Sequence, residues 1–458
     1  MSKIKKIYAY EVLDSRGNPT VKVEVTTKKA FAEALVPSGA STGSKEALEL
    51  RDKNTKYESN WFGGKGVQTA CDNINNEISR ILVGIDVKKQ ELIDNLMIDA
   101  DGTETKSRFG ANAILAVSLA CAKVAAIETK QPLYQYLASL KKLDNNLFSL
   151  PVPMLNVING GEHASNTIDF QEFMIMPLGA KTFKESLQMA NKVFHTLAKL
   201  LKKAGHGTQV GDEGGFAPNL HTHEEALDFL VNAIKEAGYN PSTKGENAVA
   251  ICLDAACSEL FNEETKTYIF KKFKKAVLEK RQGFEKYAKA KFEFTSEELT
   301  NYFGKLIDKY PIISIEDSHH ENDWNGFIQM KKEYGKKVQL VGDDLIVTNP
   351  KYIQMAIDKK AINASLIKIN QIGSLTETIK AIQMSQAANF VPVISHRSGE
   401  TEDTFIADLA VAFSTNEIKT GSMSRTDRIA KYNRLIKIED ELKERGIYLG
   451  EKAFSNLK

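Results

Sequence analysis

Residues 364–374 read Ala364-Ser365-Leu366-Ile367-Lys368-Ile369-Asn370-Gln371-Ile372-Gly373-Ser374, an apolar run interrupted by one lysine. In an extended strand successive side chains point to opposite faces, so Ile367 and Ile369 share the face opposite Lys368. With the isoleucines turned to an outer layer, the ammonium points into an interior. There it must meet a carboxylate or carry a lowered pKa, and a neighbouring cation lowers it further.

Seven more short apolar runs accompany this one, giving 154–158, 172–176, 249–253, 312–315, 339–341, 366–369, 391–394 and 418–419. Helical stretches separate most of them, the pattern of a parallel sheet or barrel. Six carry or end in a strongly polar residue: Asp254, Glu316, Asp343, Lys368, His396 with Arg397, and Lys419. The spacing predicts a (β/α)8 barrel, whose strand ends converge on one mouth where sites are built. Only a turn joins the first two runs, and two helical stretches, 182–204 and 223–237, precede the third. The barrel is therefore modified, opening ββαα. No period of 20–50 residues, the mark of a solenoid, is present.

Upstream, Val21, Val23 and Val25 alternate with Lys22 and Glu24 as a half-buried strand does, and long helical patterns follow. Pro37-Ser38-Gly39-Ala40-Ser41-Thr42-Gly43 reads as a mobile loop. The chain thus divides into a small N-terminal α+β capping domain, 1–145, and a C-terminal barrel, 146–458. The segment 111–127 is very apolar but contains Asn112, Ser118 and Lys123, which makes it a buried helix and no membrane span. The N-terminus lacks the apolar core of a signal peptide, so a cytoplasmic setting is expected. With 61 Lys and Arg against 59 Asp and Glu, the net charge of +2 gives no polyelectrolyte attraction, and no nucleic-acid partner is expected. Cys71, Cys121, Cys252 and Cys257 form no metal or redox spacing and read as buried hydrophobes.

Asp254, Glu316 and Asp343 close three successive runs. Hard oxygen donors of this kind suit Mg2+. Spacing alone leaves two alternatives open: the acids as caps or salt-bridge partners, and Lys368 as the partner of one of them.

Nine segments in order carry a family resemblance that spans nearly the whole chain. They are Leu13-Asp14-Ser15-Arg16-Gly17-Asn18-Pro19-Thr20, Ser38-Gly39-Ala40-Ser41-Thr42-Gly43, Gly110-Ala111-Asn112-Ala113-Ile114-Leu115, Asn159-Gly160-Gly161-Glu162-His163-Ala164, Gln171-Glu172-Phe173-Met174, Gly211-Asp212-Glu213-Gly214-Gly215-Phe216-Ala217-Pro218-Asn219, the Lys368 segment, Ser395-His396-Arg397-Ser398-Gly399-Glu400-Thr401, and Ile418-Lys419-Thr420-Gly421. In these the chain resembles the bacterial-type enolases. The resemblance implies a glycolytic lyase that reversibly dehydrates 2-phospho-D-glycerate to phosphoenolpyruvate with two Mg2+ ions. It implies Asp254, Glu316 and Asp343 as ligands of one ion and Ser41 as a ligand of the second. By the same match Lys368 is the base that removes the C2 proton, and Glu213, assisted by Glu172, protonates the departing hydroxyl. Gln171, Arg397, Ser398 and Lys419 match substrate-binding positions, together with the histidines His163 and His396 and Lys368 itself.

A homodimer or octamer follows from the same resemblance, as does an additional surface role, with the terminal Lys458 binding plasminogen. Another dehydratase of the enolase superfamily is the rival reading, set aside because such enzymes lack the phosphate-binding and 211–219 segments. One departure from the family is a longer segment at 268–292 with nine Lys and Arg around Phe270, Phe273, Val277 and Tyr287. It reads as a solvated surface excursion, with a basic amphipathic binder of anionic surfaces as the alternative.

Overall fold

Inward and outward alternation, carried from strand to strand, decides which side chains reach the mouth. The computed structural model describes residues 2–39, 43–59, 62–141, 143 and 146–457. Its first layer is an antiparallel sheet of β1 (Lys6–Leu13), β2 (Pro19–Thr26) and β3 (Phe31–Leu35). Val21, Val23 and Val25 are fully buried, as their spacing requires. Helix α1 (Ala111–Glu128) packs on β2 and β3 with one side and on barrel helices with another, so it is apolar nearly all round. That burial, 83% of its span, accounts for a mean hydropathy of 1.6.

Eight strands then close a ring. They are β4 (Val152–Asn159), β5 (Glu172–Pro177), β6 (Ala248–Asp254), β7 (Ile312–Glu316), β8 (Gln339–Gly342), β9 (Ala364–Ile367), β10 (Val391–Ser395) and β11 (Glu417–Lys419). The order is β7-β8-β9-β10-β11-β4-β5-β6, and β6 pairs with β7 to shut it. Strand β5 runs antiparallel to both neighbours and the other ring pairs are parallel. Helices α2 (Phe183–Lys203) and α3 (His223–Glu236) lie between β5 and β6, each opened by a threonine cap, Thr182 and Thr222. The ββαα opening is thus present.

Two apolar layers follow from the pleat. Met154, Met174, Ala250, Cys252, Val341, Leu366 and Val393 fill the barrel. Leu155, Ile175, Leu253, Ile315, Leu340, Ile367 and Ile394 face the helices. Continuing each strand by the same parity turns Asp254, Glu316, Asp343, Lys368 and Lys419 inward. Strand β9 ends earlier than its sequence suggests, because Ile369 opens a short helix, Ile369–Ile372. Ile367 and Ile369 nonetheless both pack outward, and Lys368 keeps its inward direction.

The basic excursion departs from expectation. It folds into helix α4 (Lys271–Leu278), between short strands that pair in a three-stranded sheet, and precedes helix α5 (Ser296–Lys309). Lys271, Lys275, Lys280, Lys286 and Lys289 are exposed, but Phe270, Phe273, Ala276 and Phe284 join the core outside the barrel. Its aromatic residues anchor it, while most of its lysines stay at the surface.

Candidate active site

Strand register sets the floor of the site. Glu172, Asp254 and Glu316 lie level on β5, β6 and β7. Because β5 is reversed, its first residue reaches the mouth where its neighbours present their last. Lys419 closes β11 and gathers all three: its Nζ donates to Asp254 Oδ2 and Glu316 Oε2 at 2.8 Å each and stands 3.2 Å from Glu172 Oε1. Burial opposes the charge on Lys419, but Asp254, Glu172 and Glu316 outweigh it and hold the ammonium well above its ordinary range. Gln171 Nε2 donates to the same Asp254 oxygen at 3.3 Å.

Lys368 Nζ donates to Asp343 Oδ2, and Gln371 Nε2 donates to Oδ1 at 2.8 Å. Burial favours a neutral Lys368, yet the Asp343 carboxylate wins and raises its pKa. Of the two readings that spacing left open, the described structure takes the paired one. Asp317, in the positive-φ region at 44°, accepts from the backbone N–H groups of Asp343 and Asp344 at 2.9 Å each. The carboxylates of Asp317, Asp343 and Asp344 lie within 4.8 Å of one another. Burial and the Asp343 charge push Asp344 up to about 8.

Across the mouth, a second group within 4.8 Å comprises His163, Glu172 and Glu213. Asn156 Nδ2 donates to Glu213 Oε2 at 2.9 Å, while His163 Nδ1 and His396 Nε2 stand 3.7 and 3.6 Å from its Oε1. Burial opposes ionisation of Glu213, but His396, His163, Arg428 and Lys419 overcome it and hold the carboxyl well below the usual range. Burial and then the Glu213 charge push Glu172 well above that range. The two carboxylates lie close enough to titrate as a coupled pair.

Arg397 is gripped by the N-terminal domain: Nη1 donates to Glu46 Oε2 at 3.0 Å and Nη2 to Glu46 Oε1 at 3.2 Å, a planar two-point contact. The fully buried Arg428 donates to His396 Nδ1 and to the carbonyl oxygens of Arg397, Ser398 and Asp212, tying the two loops of the site together. One pocket is lined by His163, Gln171, Glu172, Glu213, Asp254, Asp343, Lys368, His396, Arg397, Ser398 and Lys419. Glu316 stands behind Lys419 and meets the pocket through it. Ser41 lies outside the described residues.

The expected ligands Asp254, Glu316 and Asp343 face inward around this pocket with the Lys419 and Lys368 ammoniums among them. Glu316 Oε1 is buried and has no hydrogen-bond partner among the described residues. Hard oxygen donors with an orphaned buried oxygen fit a divalent cation. Sequence reasoning missed Glu46, Asn156, Asp317 and Arg428; Asp317 alone left a signal, as a second acid beside Glu316.

Such a mouth, with acids and ammoniums converging at the strand ends of a barrel, can hold a divalent cation and can support cation-assisted chemistry on an anionic substrate. The chain matches the family models "Enolase, N-terminal domain" over residues 4–137 and "Enolase, C-terminal TIM barrel domain" over residues 147–457. It is 78% identical over 459 residues to an enolase of Metamycoplasma arthritidis, with all of both chains covered. Enolases of Mycoplasmopsis pulmonis and Mesomycoplasma hyorhinis are each 64% identical, again over the full length of both chains. The chain belongs to the enolase family. Its reaction is the reversible glycolytic dehydration of 2-phospho-D-glycerate to phosphoenolpyruvate, and the cofactor of the family is a divalent metal.

Proposed function

We propose that Lys368 removes the C2 proton of 2-phospho-D-glycerate and that Glu213, backed by Glu172, delivers a proton to the departing C3 hydroxyl. One observation carries this assignment. In the ring order, β9 and β5 stand four strands apart among eight, so Lys368 and the glutamate pair face each other across the same pocket. Base and acid therefore approach opposite faces of a substrate lying between them. Proton removal comes first and leaves the electron pair delocalised into the substrate carboxylate. In a separate step that pair forms the C2–C3 double bond as the C3–O bond breaks, and the oxygen leaves as water with the glutamate proton.

Asp254, Glu316 and Asp343 are the residues that would hold Mg2+, with Ser41 reserved for a second ion. Held there, Mg2+ would supply Lewis-acid neutralisation of charge on the substrate carboxylate, and an Asp343 serving as its ligand would loosen its hold on the Lys368 proton. Arg397, pre-oriented by Glu46, offers a planar fork to the phosphate together with Ser398. Gln171 and Lys419 flank the carboxylate end. His163 and His396, whose Nδ1 and Nε2 respectively make no hydrogen bond among the described residues, flank the hydroxyl. A domain division at residue 145 and a cytoplasmic, glycolytic setting complete the reading.

Phosphoenolpyruvate formation followed by absorbance tests it. Activity is expected with Mg2+, none with EDTA, and none from Lys368→Ala in either case. Metal-independent turnover would overturn the assignment.

A further inference from the structure

In the loop that carries His163 three N–H groups are held by backbone carbonyls, and two of the loop's own carbonyls are taken by a side chain from elsewhere. Gly160 N–H donates to Gln171 O at 2.9 Å, Gly161 N–H to Ile168 O at 2.9 Å, and His163 N–H to Gly160 O at 3.1 Å, closing a single 3-10 turn, Gly161–His163. The carbonyl oxygens of Gly161 and Ala164, one on each side of His163, both accept from Lys272 Nζ, the second at 2.6 Å. Lys272 belongs to the basic excursion, 108 residues further along the chain.

Its own backbone is fastened to the same loop. Asp169 Oδ1 accepts Lys272 N–H at 2.8 Å and Oδ2 accepts Phe273 N–H at 3.1 Å, which caps the start of α4 from outside the helix. Asp169 is 3% exposed, and Phe273 is buried beside Tyr287 with ring centroids 5.5 Å apart. The ammonium is thus delivered by a helix anchored at both backbone and side chain.

We propose that Lys272 is a positioning residue for catalysis: by clamping the carbonyls on either side of His163, it fixes the imidazole against Glu213 and so sets the efficiency of hydroxyl loss. The excursion, whose lysines look like a solvated surface, then serves the active site through one side chain. The inference rests on the reading of His163 and Glu213 as the leaving-group side of the site. Lys272 touches neither substrate nor reacting atoms, so its removal leaves C2 proton abstraction intact.

The test compares Lys272→Met, Lys272→Arg and His163→Asn as full-length protein with Mg2+. Two rates are read for each: exchange of the C2 hydrogen of 2-phosphoglycerate in D2O by NMR, and phosphoenolpyruvate formation. Lys272→Met is expected to slow dehydration by about tenfold while exchange changes less than twofold, the scale of a small misplacement of a catalytic group. Lys272→Arg, which keeps the donors, is expected to restore the ratio of the two rates. Adding Lys272→Met to His163→Asn is expected to cost nothing further, since both act through one imidazole. An unchanged ratio in Lys272→Met while His163→Asn shifts it overturns the brace alone. An unchanged ratio in His163→Asn overturns the role of His163, and the brace with it.

Discussion

Asp343 holds two partners at once, the ammonium of Lys368 and the amide of Gln371, and a change of one atom there tests the metal assignment. Asp343→Asn keeps the shape but removes the charge a hard cation needs, so calorimetric titration is expected to find tight Mg2+ binding abolished. Unchanged affinity would mean the cation sits elsewhere. The proton-transfer roles separate by isotope exchange. Lys368→Ala is expected to lose both phosphoenolpyruvate formation and exchange of the C2 hydrogen in D2O. Glu213→Gln keeps the base, so exchange is expected to persist while dehydration falls by roughly 10²-fold, the scale of general acid catalysis. The reverse pattern would exchange the roles of base and acid. Lys368, Lys419 and the inward acids were legible because pleat parity holds to the last residue of each strand and, for Asp343 and Lys368, one residue beyond it. Glu172 obeys the same rule, but it begins a reversed strand and so escapes a search for polar strand ends. Glu46 was not legible: it meets Arg397 from 351 residues away, and nothing local marks a surface-type glutamate as the grip on an interior arginine. Arg428, buried in the long C-terminal helix Thr426–Leu442, is equally silent in sequence, since three of its partners are carbonyl oxygens that any residue supplies.

Helix α4 shows why composition misleads for an element as a whole. Its lysines dominate the sequence, yet Phe273 and Ala276 sit one turn's spacing apart on one face and decide where it lies. Around that face Phe170 stacks on His223 at 3.8 Å between centroids, and Phe270 packs edge-on to both at 5.8 and 4.9 Å. The element is held by aromatic burial, so Phe273→Ala is expected to destabilise the protein by about 3 kcal/mol, read as a lower midpoint in chemical denaturation. Lys275→Ala, on the exposed side of the same helix, is expected to move that midpoint by less than about 0.5 kcal/mol. Equal effects from the two would return the excursion to the solvated loop that its charge suggested. The eight-strand ring was legible at the level of elements because each apolar run is short and buried on both faces, and six of the eight carry or end in a strongly polar residue. What sequence could not supply was the seat of the excursion, which depends on a cluster assembled from β5, α3 and α5 by the closure of the barrel.

At the scale of the molecule, one of the contacts that tie the N-terminal domain to the barrel is a buried carboxylate. Asp403 Oδ2 accepts Leu35 N–H of β3 at 3.0 Å and Lys123 Nζ of α1 at 2.7 Å, and Oδ1 accepts Phe405 N–H at 3.0 Å. Burial works against its charge, but Lys123 and these N–H groups prevail and hold its pKa below the ordinary 3.8. The folded pKa is thus lower than the unfolded value of about 3.9. Its contribution to stability is present in full above that unfolded value and is lost as pH falls through the folded one. Lys123→Met removes the strongest of the favourable partners, which raises the folded pKa toward or above the unfolded one. The acid unfolding midpoint is therefore expected to move to higher pH, accompanied near neutral pH by a loss of about 2 kcal/mol, the worth of a hydrogen bond to a charged group. Asp403→Asn carries no charge to titrate, so the same Lys123→Met change in that background is expected to leave the acid midpoint where Asp403→Asn alone puts it. The measurement is circular dichroism against pH for the four chains of this cycle. A midpoint that moves as far in the asparagine background as in the parent would show that Lys123 acts through some other group, and that Asp403 is not a charge that ties the two domains.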